Sequence, residues 1–405
     1  MLWITAGLTA AALLVAWPAL VIAGQVAVAA LPKRRRLDRE QTAGLGHVRP
    51  ACALLVPAHN EALGIRGTIE SLSSQMQPGD RLVVVADNCT DDTARVARED
   101  GTEVVERTHL DQRGKGFALQ AGLAHLSAGS PPEFVVVVDA DCRLVPGCLD
   151  ALVAHAAATS RPAQACYLMT APAEPRAVDV VSALAVLVKN RVRPLAMAQL
   201  GFPCLITGSG SAFPWAALQA RSFEGGNIVE DMQLAVDLAL AGSPPSYCDE
   251  AVLFAALPDR AAAFTSQRRR WEHGHLHTLL SQVPRLARAF VRTGRIGLAA
   301  MLVDLAVPPL SLVVALNLAC LMAGLAAFAL GAGGMPALVS AAALGLLAVS
   351  IALAWWWFAR DQIPFRFLLS VPVYVVMKLP LYATFPFRRE NTWVRTARSS
   401  QPTSE

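Results

Sequence analysis

Charge is the scarcest ingredient of this 405-residue sequence: Asp, Glu, Lys and Arg make up 16% of it, against 54% hydrophobic residues. Soluble domains carry about 25% charge, so part of the chain must lie outside water. That excludes disorder, a coiled coil and a secreted miniprotein. A strong basic excess is lacking too. A net charge of +4, with basic residues bunched beside apolar runs, gives no case for nucleic acid as a partner. No C-x-x-C pair occurs among the eight cysteines, so there is no zinc or redox signature, and reduced cytosolic thiols fit better than a disulfide framework. No Walker loop and no G-x-G-x-x-G follows the first predicted strand, which leaves NTPase and dinucleotide readings without support. Repeats of solenoid length are absent as well. What remains is a protein at least partly embedded in a membrane.

The apolar residues are unevenly placed. Residues 2–31 contain no charge, more than the roughly 20 residues a helix needs to cross the hydrocarbon core. Lys33-Arg34-Arg35-Arg36 follows at once. A cleaved signal peptide is the competing reading, but it carries positive charge before its apolar region, and residues 1–5 have none. The positive-inside rule places Met1 outside and Arg34 in the cytoplasm. Residues 305–359 are again uncharged, long enough for two spans with a turn at 331–336. A globular helix bundle would alternate polar and apolar faces, which this stretch does not do. Trp355-Trp356-Trp357 reads as an interfacial aromatic belt. The apolar stretch 363–387 is interrupted by Arg366, Pro372, Lys378 and Pro380 and followed by Arg388, Arg389, Arg395 and Arg398. Those cations predict an interfacial or re-entrant helix. The expected organisation is an N-terminal span (1–32), a cytoplasmic domain (47–292), two spans (296–359), and an interfacial helix with a basic tail (360–405). The expected location is the cell's inner, or plasma, membrane.

The polar middle alternates short apolar runs (51–57, 81–86, 102–106, 134–138) with helical patterns at 63–75, 91–100 and 115–126. Strands separated by helices of that length predict an α/β fold with a doubly wound, mostly parallel sheet. Ligands in such sheets bind beyond the carboxyl ends of the strands. The first, second and fourth runs end in His59-Asn60-Glu61, Asp87-Asn88 and Asp139-Ala140-Asp141.

Several groups there carry chemistry. Asp139 and Asp141 are hard carboxylates that suit Mg²⁺ or Mn²⁺ beside diphosphate oxygens, although an acidic pair also commonly starts a turn. Glu230-Asp231 opens a helical pattern; it is either a dipole-favoured pair of acids or holds a general base for an acceptor hydroxyl. Gln267-Arg268-Arg269-Arg270-Trp271 is either a juxtamembrane basic patch on anionic lipid or a phosphate clamp, through Gln267 and Arg270, with Trp271 stacking on a sugar. The nearby His273, His275 and His277 favour a solvated or interfacial role over metal ligation. Asp87 either accepts a bond from a nucleobase imide or caps the next segment. Lys115, in Arg113-Gly114-Lys115-Gly116, lies in either a phosphate-binding turn or a plain solvated one. Ser209, in Gly208-Ser209-Gly210-Ser211, lacks the G-x-S-x-G setting of a hydrolase nucleophile.

The ordered set PAHNE (57–61), ADNCTDDT (86–93), RGKG (113–116), DAD (139–141), ED (230–231) and QRRRW (267–271) resembles the membrane-embedded family 2 glycosyltransferases of GT-A fold, the group of the cellulose, chitin and hyaluronan synthases. The resemblance covers roughly residues 50–275. It implies inverting transfer of a sugar from a nucleotide-sugar donor, with a UDP-sugar expected. Glu61 and Asp87 would hold the nucleoside, and Lys115, Asp139, Gln267 and Arg270 the diphosphate. Asp139 and Asp141 would bind Mg²⁺ or Mn²⁺, and Asp231 would be the base. Glu230 and Trp271 would face the acceptor. The long multi-span pore of the processive synthases is missing, so the expected product is one sugar, or a few, added to a lipid or growing polysaccharide at the cytoplasmic face. Polysaccharide-synthesis proteins are the partners this implies. The competing class is a non-catalytic membrane subunit that organises such a complex.

Overall fold

The computed structural model describes residues 1–32, 49–109, 111–172, 174–219, 230–258 and 261–385. The basic run 33–36, the arginines at 388, 389, 395 and 398, and the side chain of Glu230 lie outside the described residues. The described chain forms two compact units, one from 49–172 and 202–271, the other from 1–32, 174–201 and 272–385.

The first unit is built on an eight-stranded sheet: β1 (Cys52–Ala58), β2 (Arg81–Asp87), β3 (Glu103–Arg107), β4 (Phe134–Val137), β5 (Cys142–Leu144), β6 (Ala163–Thr170), β7 (Ser211–Pro214) and β8 (Ser246–Ala256). Their spatial order is β3-β2-β1-β4-β7-β6-β8-β5. β1 pairs in parallel with β2 and β4, and β2 with β3, while β7 runs antiparallel to both of its neighbours. The expected mostly parallel, doubly wound sheet is therefore present, with its antiparallel exception at β7 and β5. β1, β2 and β4 are continuous apolar runs because both faces are covered; Leu54, Leu55, Val84 and Val136 are all fully buried. The polar residues that end these strands consequently emerge on one edge.

Arg49 fastens the start of β1. Its buried guanidinium bonds Asp80 Oδ2 at 2.6 Å and Asp150 Oδ1 at 2.7 Å. Asp80 also accepts from the amides of Cys52 (2.9 Å) and Gln77 (2.8 Å). Burial pushes the Asp80 carboxyl up, but the bonds from Arg49 and the two amides outweigh it and hold it below the ordinary range. That stabilisation is present above the ordinary carboxylate pKa and is lost as pH falls through the depressed one. Arg49→Ala, which strands Asp80 in the interior, is expected to cost about 3–5 kcal/mol. Arg49→Met with Asp80→Asn, which removes the stranded charge and keeps an acceptor beside the Cys52 and Gln77 amides, should recover part of the loss, as read by thermal unfolding of the full chain in detergent. A single variant with wild-type stability would show that the pair contributes nothing.

The second unit holds four helical stretches long and apolar enough to cross a membrane: Leu2–Ala29, Leu310–Ala329, Met335–Phe358 and Phe365–Thr384. The last is a 3₁₀ turn (Phe365–Ser370) running into an α-helix (Val371–Thr384). It is the stretch expected to be interfacial or re-entrant, and by length and composition it also qualifies as a span. Its Lys378 is buried against Glu272, whose other oxygen accepts from Tyr382 Oη at 2.9 Å. Paired charge of this kind is what an apolar setting tolerates. Arg193, Asp304 and Gln25 form a second buried group, with Asp304 Oδ1 accepting from Arg193 Nη2 at 2.8 Å and Gln25 Nε2 at 2.7 Å. The sequence reading grouped 174–201 and 272–292 with the α/β domain. In the structure they pack with the apolar helices. Ala177–Leu187 carries no charge apart from Asp179, but Lys189, Arg191 and Arg193 follow it closely and keep the apolar run too short to read as a span.

Candidate active site

The site is assembled from the ends of β1, β2 and β4. After β1 and β2 the chain turns through Asn60 (φ 55°) and Asn88 (φ 51°), left-handed positions that asparagine tolerates better than most residues. These two turns are tied together. Asn60 Oδ1 accepts from the Thr90 amide at 2.6 Å, the Glu61 amide donates to Thr93 Oγ1 at 2.8 Å, and His59 Nδ1 lies 2.7 Å from the Asp87 carbonyl oxygen. Glu61 and Asp87 thus share one rim. Asp87 Oδ1 accepts from Arg107 Nη1 at 2.7 Å, and that guanidinium stacks 5.4 Å from the centre of the Phe117 ring. The sequence reading missed Arg107. The strand register carries the signal for it, because Asp87 and Arg107 are opposite each other across β2 and β3.

Beyond β4, Asp139-Ala140-Asp141 makes a tight turn, closed by the Cys142 amide donating to the Asp139 carbonyl at 3.1 Å. Thr68 Oγ1 fixes the turn from the side by donating to the Ala140 carbonyl at 2.7 Å. Ligand atoms of Asp139, Asp141 and Cys142 lie within 4.8 Å of one another. Burial first, then the charges of Asp141 and Asp139, push the Cys142 thiol well up, so it remains protonated. The ligand set is therefore two carboxylates, both reachable by solvent, which fits Mg²⁺ or Mn²⁺ and not a thiophilic ion.

Lys115 links this turn to Asp231. It stands at the start of the helix Lys115–Ala128, and its Nζ lies 2.9 Å from Asp139 Oδ1, 3.5 Å from Asp231 Oδ1 and 2.8 Å from the Gly208 carbonyl. Asp231 sits in the first turn of the helix Glu230–Leu240. Three residues far apart in sequence are thus held around one ammonium. Burial pushes the Asp139 carboxyl up; Lys115 opposes the rise, and the neighbouring Asp141 and Asp231 add to it. Such crowding of like charge favours a cation at this point.

Ser209 belongs to the site although it is no nucleophile. Fully buried, its Oγ accepts from the Asp139 amide at 2.8 Å and from Cys142 Sγ at 3.2 Å. The buried Gln164 holds the same loop, donating to the Ser209 carbonyl at 2.9 Å and accepting from Ser211 Oγ at 2.9 Å. Gly208 (φ 82°) and Gly210 (φ 73°) flank Ser209, and a Cβ at Gly210 would meet Leu253 Cδ2 at 2.5 Å. Only glycine allows the loop to pass this close to β8. Nothing local in the sequence reveals the role, since Ser209 and Asp139 meet only through the β4–β7 pairing.

Gln267, Arg270 and Trp271 lie on the helix Ala261–Thr293, with Gln267, Arg270 and Trp271 all partly exposed. The structure thus gathers Lys115, Asp139, Asp141 and Asp231 into one cluster and Glu61 and Asp87 on one rim. Gln267, Arg270 and Trp271 form a third group carried by that helix.

Residues 50–274 match the sequence profile described as glycosyltransferase like family 2, and the chain belongs to that family. It is 33% identical over 111 residues to the 4,4'-diaponeurosporenoate glycosyltransferase of Staphylococcus aureus (strain USA300), a segment that is 27% of this chain and 28% of that protein. It is also 33% identical over 100 residues to the probable glycosyltransferase YdaM of Bacillus subtilis (strain 168), covering 23% of each. The chain therefore matches about a quarter of the length of these relatives. Among solved structures, a mannosyltransferase from Pyrobaculum calidifontis in complex with GDP-Man and Mn²⁺ superposes with a TM-score of 0.52. That match is 20% identical and covers 96% of this chain and 98% of the other, which establishes the shared GT-A fold.

Proposed function

We propose that this protein transfers a sugar, with inversion, from a nucleotide-sugar to a lipid-linked or growing polysaccharide acceptor at the cytoplasmic face of the cell membrane. The observation that carries the reading is the convergence of Asp139 and Asp231 on Lys115, with Asp141 beside Asp139, at the carboxyl edge of the sheet. Glu61 and Asp87, on the neighbouring rim, hold the nucleoside. Asp139 and Asp141 hold a divalent cation, which when bound offsets the charge that develops on the departing diphosphate. Lys115 places a positive charge beside the same group. Asp231 accepts the proton of the attacking hydroxyl, so that one carboxylate suffices: the leaving diphosphate is already acidic and needs no second acid, unlike the leaving group of a glycosidase. The four long apolar helices fit an acceptor delivered by the bilayer. A UDP-sugar is the first donor to test. GDP-sugars belong in the same screen, because the Pyrobaculum calidifontis mannosyltransferase was captured with GDP-Man.

The test is release of nucleoside diphosphate by the full chain in membranes, screened over labelled UDP- and GDP-sugars with Mg²⁺ or Mn²⁺. Release from one donor, raised by a lipid or glycan acceptor, is the expected result. If no donor is consumed under any metal condition, the reading fails and a non-catalytic organising subunit takes its place.

A further inference from the structure

Between Glu272 and Asp304 the sequence has no acidic residue, and its basic ones there are arginines: Arg285, Arg288, Arg292 and Arg295. The first three stand near the C-terminal end of the helix Ala261–Thr293, and Arg295 directly precedes the short apolar helix Ile296–Leu305. At about 100° per residue, the stretch 278–293 divides into three sectors. Thr278, Gln282 and Leu286 fall within about 80° of arc and are buried, so protein covers that side. Leu280, Pro284 and Val291 fall within about 40° of one another and are exposed, Leu280 at 58% and Val291 at 83%. Arg285, Arg288 and Arg292 occupy a strip about 60° wide between those two sectors. Arg285 donates to Gln282 Oε1 at 2.5 Å. Arg288 and Arg292 are exposed, and among the described residues neither makes an ion pair. Spaced i, i+4, they repel one another along the helix, a cost that an anion laid across both would remove.

We infer that this stretch lies along the bilayer surface and binds the headgroup phosphates of anionic phospholipids. An apolar sector with a cationic strip one step round the helix suits the boundary between acyl chains and headgroups. The apolar sector rests on the chains, and the arginine stems reach past it to place their guanidinium groups at phosphate level. Each guanidinium can take two phosphoryl oxygens at once. The fold keeps the stretch beside the bilayer: it turns at Gly294 (φ 66°) into the helix Ile296–Leu305, which residues 306–309 join to the candidate span Leu310–Ala329. The ligand is thus a lipid class, and the inference is independent of the sugar-transfer chemistry.

The experiment measures the preference of the full chain, in mixed micelles, for a fluorescent phosphatidylglycerol over the matching phosphatidylcholine. The wild-type chain should prefer phosphatidylglycerol at low ionic strength, and about 0.5 M NaCl should shrink that preference by screening. Arg288→Gln with Arg292→Gln should reduce it by roughly fivefold for each arginine removed. Arg288→Lys with Arg292→Lys should keep most of it, because the attraction is chiefly to charge. Arg95→Gln, on the exposed face of the helix Thr93–Glu99, should leave it within about twofold. Should the double glutamine variant fail to fold, each single variant carries the comparison at about fivefold. A wild-type chain without the preference, or a folded glutamine double variant that keeps it in full, would overturn the proposal. So would an equal loss in Arg95→Gln, which would make the effect one of net charge. Loss of self-association in the glutamine double variant with lipid preference intact, read by sedimentation, would assign the face to a second copy of the chain instead.

Discussion

Asp231→Asn is expected to reduce sugar transfer by about 10²–10⁴-fold, the range that a positioned general base contributes, while nucleotide binding changes little. Asparagine matches aspartate in shape, so the helix Glu230–Leu240 and the neighbourhood of Lys115, 3.5 Å from Asp231 Oδ1, should survive the change. What is lost is the ability to take a proton from the acceptor hydroxyl. The separation between chemistry and binding is the diagnostic feature. Asp231 reaches the rest of the site through Lys115, whereas the rim proposed to hold the nucleoside is formed by other residues at the ends of β1 and β2. Single-turnover donor consumption alongside nucleotide titration would measure both. A variant that transfers at the wild-type rate would remove Asp231 from the role of base; one that also loses the nucleotide would make it a structural residue of the donor site.

Removal of the divalent cation is expected to stop transfer altogether, and its return to restore it. Asp141→Asn should raise the Mn²⁺ concentration needed for half-saturation by on the order of tenfold, since affinity for hard cations follows the number of charged oxygens. Asp139→Asn should act more strongly, because that carboxylate also holds Lys115 at 2.9 Å. Electron paramagnetic resonance of Mn²⁺ titrated into the full chain reads binding directly, without reference to turnover. Full Mn²⁺ affinity in the Asp139→Asn, Asp141→Asn double variant would place the cation elsewhere. Ser209 is the natural companion to this series: it touches no ligand position, yet it holds the Asp139 amide at 2.8 Å and so sets where the carboxylate can go.

The candidate site was legible in the sequence to the extent that its residues end strands or open helices. Asp87, Asp139 and Asp141 stand out because apolar runs stop at them, and Asp231 because a helical pattern begins there. Residues whose role is to hold those acids were not legible. Arg107 closes a partly buried edge strand and looks like any solvated cation until β2 and β3 are set in register. Gln164 is a polar residue inside an apolar strand, a sign of a buried network that only the course of the 207–211 loop explains.

Local matters are written in neighbouring residues: which segments are strands, which runs are apolar enough to span a membrane, and the order in which acidic and basic motifs follow one another. Hydrophobic periodicity and run length are properties of a few adjacent residues, so they can be read without a fold. Tertiary structure alone decided the strand order, the meeting of Lys115 with Asp139 and Asp231, the support of the Asp139 turn by Ser209, and the packing of 174–201 with the apolar helices. Each of these depends on contacts between residues distant in the chain. Such contacts form only when buried faces are matched across the whole domain, and no local pattern encodes them.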